Sequence, residues 1–214
     1  MKQITFFGDS LAVLRAFPEE VRSEAGFQLR AVQKGRDPAD WKPMTTVGPG
    51  VREIRVREAS GAFRVIYLAT DAGAVLVLHA FQKKDQRTPQ RDIELASNRL
   101  KVWNLKAWRK NMEDLAMEVP TVETQTFDDV FDAISDTPEQ AANLKARAEL
   151  LAALVERVRS WAVPQEIAAA RLHITRPRLS DLLRGKLAKF SLDALVNLTV
   201  AAGLTIDIRI GDAA

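Results

Sequence analysis

The sequence has no cysteine, only two histidines and a single tyrosine. It also has no apolar run approaching the ~20 residues that a membrane-spanning helix requires. Disulfides and thiolate metal sites are thereby excluded, and His79 and His173 alone are too few for a histidine-rich zinc site. No nucleotide, flavin or metal motif is present, so no cofactor is expected. Met1 to Phe7 lacks the long apolar core of a signal peptide, and the expected location is the cytoplasm, away from membranes.

What is present is charge, unevenly spread. Residues 1–111 carry 20 Lys+Arg against 12 Asp+Glu, and residues 112–214 carry 11 against 16, so a half of net +8 precedes a half of net −5. Opposite signs in one 214-residue chain predict two functional units. A basic half invites a polyanion, and an acidic segment in the same chain can compete for that surface.

Periodicity predicts an α+β architecture. Gln3 to Phe7 reads as a strand, Ser10 to Arg15 as a short helix, and Pro18 to about Lys34 as a second helix stopped by Gly35. Trp41 to Gly50 reads as an irregular loop. Ile54, Val56 and the run Phe63 to Leu68 then predict a hairpin turning beside Gly61, Ala74 to Phe81 a buried strand, and Pro89 to Trp103 a helix opened by proline. The N-terminal domain is therefore expected over 1–103, as helices with an antiparallel sheet.

A linker is expected over 104–125. Residues 112–139 hold 9 acidic residues and no Lys or Arg. Within them Phe127, Val130, Phe131 and Ile134 form an apolar stripe at helical spacing, which fits an acidic helix docking on a basic partner surface. Met112 would allow a separate reading frame to begin there. The second domain, 126–214, is expected to be all-α with a short terminal strand. Its long helix, Asn143 to Arg159, is apolar along Leu144, Leu151, Leu154, Val155 and Val158, and its strand is Thr205 to Ile210.

Residues 164–186, PQEIAAARLHITRPRLSDLLRGK, follow helix-turn-helix grammar. Ala169 is small where two helices cross, and Ile167, Leu172, Ile174, Leu179 and Leu182 are expected to fill a three-helix core. Thr175 is the expected N-cap, and Pro177 is tolerable in the first turn. Gln165, Thr175, Arg176, Arg178, Ser180 and Lys186 remain as candidate DNA contacts, Lys186 toward a phosphate. With the following FSLDALVNLTVAAG and TIDIRI, the segment resembles the Xre/HigA antitoxins over about 127–214. Such domains usually place glycine where this chain has His173, which can take the left-handed turn conformation at some cost.

Metal-independent RNA cleavage needs the 2′-oxygen deprotonated, the phosphorane neutralised and the leaving 5′-oxygen protonated, tasks that cationic side chains can serve. Residues 52–67, REIRVREASGAFRVIY, put Arg55 and Arg57 on one strand face and Arg64 across the hairpin from them. Residues 81–92, FQKKDQRTPQRD, bring Lys83, Lys84, Gln86 and Arg87 to the point where the last strand ends. With Trp41 and GPGV, these sets resemble the RelE superfamily, in particular its HigB and phage Gp49-like branch, over about 2–103. The resemblance implies a ribosome-dependent messenger-RNA endonuclease in which Arg55 and Arg64 hold the phosphate. Lys84, with Lys83 beside it, would transfer a proton or neutralise charge, and Arg57, Gln86 and Arg87 would bind RNA. Some relatives carry a tyrosine or histidine near the end of the last helix, and this chain has neither there; Tyr67 and His79 are expected to be packing residues on strands.

The combined expectation is a type II toxin joined to its own DNA-binding antitoxin. Its partners would be mRNA on the ribosome, operator DNA, the other half of the chain and a second copy in a homodimer. The alternative is a repressor whose toxin-like half is catalytically silent.

Overall fold

The computed structural model describes residues 1–70, 73–84, 87–110 and 121–208. The chain forms two compact units, Met1–Ala141 and Ala142–Ala214.

The first unit is a six-stranded sheet with helices on both faces. Its strands are β1 (Gln3–Phe7), β2 (Trp41–Pro43), β3 (Val51–Glu58), β4 (Gly61–Ala69), β5 (Ala74–Lys83) and β6 (Thr124–Phe127), in the order β2-β3-β4-β5-β1-β6. β1 runs parallel to β5, and every other neighbouring pair is antiparallel. The β3–β4 hairpin closes with Glu58 opposite Gly61, whose φ of 134° suits glycine.

Helices α1 (Ser10–Arg15) and α2 (Glu19–Gln33) cover one face, where Phe17 meets Phe63 at 4.8 Å between ring centroids. Pro18 sits immediately before α2 rather than within it, Glu19 and Glu20 favour the positive end of the helix dipole, and Gly35 ends the run at φ 76°. Helix α3 (Gln90–Lys110) covers the opposite face, packing Ala96 and Leu100 on Val51, Ile66, Leu76, Leu78 and Phe81. It runs seven residues past the expected end at Trp103. The stretch Trp41 to Gly50 is not wholly irregular: Trp41–Pro43 pairs with β3 as the edge strand, where a proline lacking an N–H is tolerated.

The acidic segment also differs from expectation. Phe127 ends a strand instead of opening a helix, and β6 pairs antiparallel with β1, with Ile4 opposite Phe127. Helix α4 (Val130–Ile134) follows, N-capped by the Asp129 carboxylate, which accepts from the Phe131 N–H at 2.9 Å. Residues 126–141, expected with the second domain, thus complete the sheet of the first unit.

Helix α5 (Pro138–Ser160) leads into the second unit, which contains α6 (Gln165–Arg171), α7 (Arg176–Arg184), a single 3-10 turn (Leu187–Lys189) and α8 (Leu192–Ala201). Its core includes Leu151, Leu154, Ala169, Leu172, Leu179, Leu182, Leu187 and Phe190. Ile167 was expected there but is 47% exposed, because the seven-residue α6 turns Ala168, Ala169 and Leu172 inward instead. The expected strand from Thr205 to Ile210 is not formed over 205–208, where no ladder partner is present among the described residues; 209 and 210 lie outside them.

Candidate functional site

The cationic residues of the first unit gather at one end of the sheet, on the face that α3 covers elsewhere. Strand register sets them in rows. Arg57, Ala62 and Lys83 form the outermost row, Arg55, Arg64 and Phe81 the next, and Glu53, Ile66 and His79 the third, with Lys42 beside Glu53.

Two arginines directly opposite each other repel unless carboxylates intervene. Arg55 is ion-paired with Asp40, whose carbonyl also accepts the Arg55 N–H at 2.9 Å. Arg64 lies with its Nε 3.2 Å from Glu53 and donates from Nη1 to the Phe63 carbonyl at 2.8 Å. Only 5% of Arg64 is exposed, so it supports the site from beneath. Burial pushes its guanidinium below the ordinary value while Glu53 pulls it back. Burial, and then the neighbouring Arg64, likewise push the Lys83 amine down.

Lys84 and Arg87 are exposed just beyond β5. Gln86 lies outside the described residues. Lys83 therefore shares the face of the arginine rows as the last residue of β5, whereas Lys84 has already left the sheet. Asp40, Lys42, Glu53 and Thr88, none of them picked out by the sequence, lie among or against these cations. A signal for one of them was available, since Glu53 precedes Arg55 and Arg57 at period-two spacing in REIRVRE.

Tyr67 and His79 are packed, as expected. Burial raises the Tyr67 hydroxyl above its ordinary value, against the pull of Arg52. His79 lies under α3 with Nε2 3.1 Å from Asp92 and its ring stacked on Phe81, and burial lowers its pKa.

At the opposite sheet edge a second Arg–carboxylate system holds the acidic segment. Arg30 Nε donates to Asp129 at 2.7 Å in a buried pair, Arg22 pairs with Asp136 at 3.1 Å, and Arg15 Nε donates to the Ala133 carbonyl at 2.7 Å. The Gln33 amide donates to the Asp128 carbonyl at 2.9 Å and accepts the Val130 N–H at 3.0 Å. Gly26 makes room for this seat: a Cβ there would stand 2.5 Å from Ile134 and 2.8 Å from Phe131.

In the second unit, His173 holds the turn between α6 and α7 at φ 54°, and Gly185 closes α7 at φ 76°. Thr175 caps α7 by accepting the Arg178 N–H at 3.4 Å. Gln165 and Arg176 are exposed, while Ser180 is half-buried. Arg178 is exposed with its guanidinium stacked 4.8 Å from the Phe190 ring centroid, which restrains its direction. Lys186 is largely buried, with its amine 4.0 Å from Asp181, which also attracts Lys189 at 3.2 Å. Arg147 fastens the turn after α7 by donating to the carbonyls of Leu187 and Phe190 at 2.6 and 2.9 Å. Among the described residues, no helix is long and apolar enough to cross a membrane.

Comparison with known families divides the chain in the same sense. Residues 12–101 match the model of the phage derived protein Gp49-like family, and residues 133–211 match a helix-turn-helix domain. No curated protein matches the chain. The helix-turn-helix match begins inside the segment that packs with the first unit, so residues 133–141 are of the C-terminal kind by sequence and of the N-terminal unit by packing. The chain joins a Gp49-like, toxin-type domain to a helix-turn-helix DNA-binding domain, a fusion of toxin–antitoxin type.

Proposed function

We infer that the chain is a type II toxin and its antitoxin in one polypeptide: an N-terminal endonuclease that cuts mRNA on the ribosome, and a C-terminal domain that represses an operator. The observation that carries the nuclease reading is the clustering of Arg55, Arg57, Arg64 and Lys83 on one face at one sheet end. Arg55 and Arg57, with Lys84 and Arg87 beyond the strand, would bind the RNA phosphates. Lys83 would protonate the leaving 5′-oxygen or neutralise the phosphorane, and Arg64 would add positive potential from below. Lys83 thereby takes over the role that sequence spacing gave to Lys84. No metal or organic cofactor enters this chemistry. The site of action would be the cytoplasm, where ribosomes and operator DNA are both found.

The seat of residues 124–136 supports the idea that the two halves recognise each other. It lies on β1, α1 and α2, at the sheet edge remote from the cationic rows. The acidic segment would therefore tether the inhibitor without itself covering the arginines, and tethering raises the local concentration of one half for the other.

In the second unit Arg176, Gln165 and the Thr175-capped start of α7 would meet the major groove, with Arg178 held by Phe190 and Lys186 near a phosphate. A two-fold operator would be read by a homodimer.

The alternative, a repressor with a silent toxin-like domain, is favoured by one observation: Arg55 and Arg64 already have carboxylate partners. Cleavage mapped on translating ribosomes separates the two readings. With the N-terminal fragment released by a protease site placed in 111–120 and separated from the C-terminal one, Lys83→Ala should lose cleavage and Lys84→Ala should weaken it, while operator footprints of the full-length variants stay unchanged. Footprints without any cleavage would leave the repressor.

A further inference from the structure

Among the cations of the sheet end sits a carboxylate that none of the roles above has used. Glu53 is fully buried, and it touches three parts of the chain that are far apart in sequence. One carboxylate oxygen lies 3.2 Å from Arg64 Nε on β4 and 3.6 Å from Lys42 Nζ on β2. The other accepts from the Thr88 hydroxyl at 3.4 Å, in the segment that carries the chain from Lys84 and Arg87 into α3. A carboxylate is buried at high cost unless cations and donors compensate it, so this arrangement is strongly specified.

The geometry points to Glu53 as the positioning residue of the proposed RNA site: it fixes Arg64, Lys42 and the segment after β5 relative to one another, so that the cations meeting a phosphate are set in place before it arrives. This assignment rests on the nuclease reading. Preset charges avoid reorganisation during the reaction, and small misplacements at such a site are costly. Lys83, whose pKa burial lowers most, is also faced by Arg64, Lys42 and Arg55, which lower it further, and by Glu53, which raises it.

Glu53→Gln tests the idea through the sign of its effect. Removing a negative charge beside a polyanion site should tighten RNA binding if only long-range electrostatics matter. A positioning role predicts the opposite. A single-stranded 2′-O-methyl RNA, which has no free 2′-hydroxyl and cannot be cut, should bind the full-length Glu53→Gln protein about fivefold more weakly than wild type. In the N-terminal fragment freed from the cut chain, kcat for ribosomal mRNA cleavage should fall about 100-fold, with KM changed far less. Thr88→Val, which releases only the segment after β5, should lower kcat while the NOEs between the Arg64 side chain and its cross-strand neighbours stay as in wild type; Glu53→Gln should change them. It also serves as the second variant if Glu53→Gln fails to fold. Equal or tighter RNA binding with wild-type kcat in Glu53→Gln would overturn the assignment. If wild-type protein neither binds nor cuts RNA, the nuclease reading fails instead, and the Arg64 NOEs alone decide whether Glu53 orders the cluster: a wild-type pattern in Glu53→Gln rejects it.

Discussion

Two regions of the N-terminal sheet use the same residue types for opposite ends. Beside the β6 edge, Arg22 and Arg30 meet Asp136 and Asp129, Gln33 satisfies backbone groups on both sides of Asp129, and Phe131 and Ile134 fill the space left by Gly26. Charge is matched, apolar area is buried, and the occupant is the chain's own acidic segment. At one end of strands β2 to β5, Lys42, Arg55, Arg57, Arg64 and Lys83 share a face with Glu53, and Asp40 adds the second carboxylate. Positive charge is left in excess, and burial holds the Lys83 amine below its ordinary value. The difference separates a cluster whose charges are matched one to one from a cluster in which cations outnumber carboxylates. It also shows that net charge alone does not locate a binding site; the balance within each cluster does.

The largest expected effect would break the matched cluster. Phe131 is fully buried against α2, and Phe131→Ala should cost about 3–5 kcal/mol in denaturant unfolding, with amide exchange rising across 124–134. Gly26→Ala attacks the same seat from the other side. Its new methyl group would collide with Ile134 and Phe131, at an expected cost of about 1–3 kcal/mol, and an unchanged midpoint would mean that the seat is not closely packed.

That seat was only half legible in the sequence. The apolar stripe Phe127, Val130, Phe131 and Ile134 and its acidic setting are visible in the residues, and so is the idea of docking on a basic surface. The four-residue β6 was not, because its sequence TQTF carries a weak pattern of its own and becomes a strand by pairing with β1. β2 escaped for the same reason: Trp41–Pro43 is three residues long and contains a proline. By contrast, the strands β3 to β5 and the helices of the second unit announce themselves through long runs, caps and stops. Arg55 opposite Arg64 follows from hairpin register, whereas the separate roles of Lys83 and Lys84 do not, since they depend on where β5 ends.

Two smaller effects sharpen the comparison by acting away from both edges. His173 occupies a left-handed turn that glycine adopts without strain, so His173→Gly should raise thermal stability by about 1 kcal/mol and leave the first unit's properties unchanged. A loss of stability would assign the imidazole a role beyond the turn. The smallest effect concerns pH. Burial holds the His79 pKa below its ordinary 6.5, so on acidification the unfolded chain takes up this proton before the folded one does. Stability should be full above that value and decline as pH falls from it toward the folded-state pKa. His79→Gln should flatten the decline in urea titrations between pH 7 and 5. Asp9 behaves differently: its hydrogen bond to Arg99 lowers its pKa, so its contribution persists above the ordinary 3.8 and is lost only below it.

The most direct test of the central claim is mRNA cleavage on translating ribosomes by the intact chain and by chain cut within 111–120, with the two fragments separated under mild denaturant and the N-terminal one refolded. The account predicts silence from the intact chain, codon-scale cuts from the freed fragment, and silence again when the C-terminal fragment is added back. A freed, folded N-terminal fragment that binds ribosomes yet leaves every message intact would contradict it.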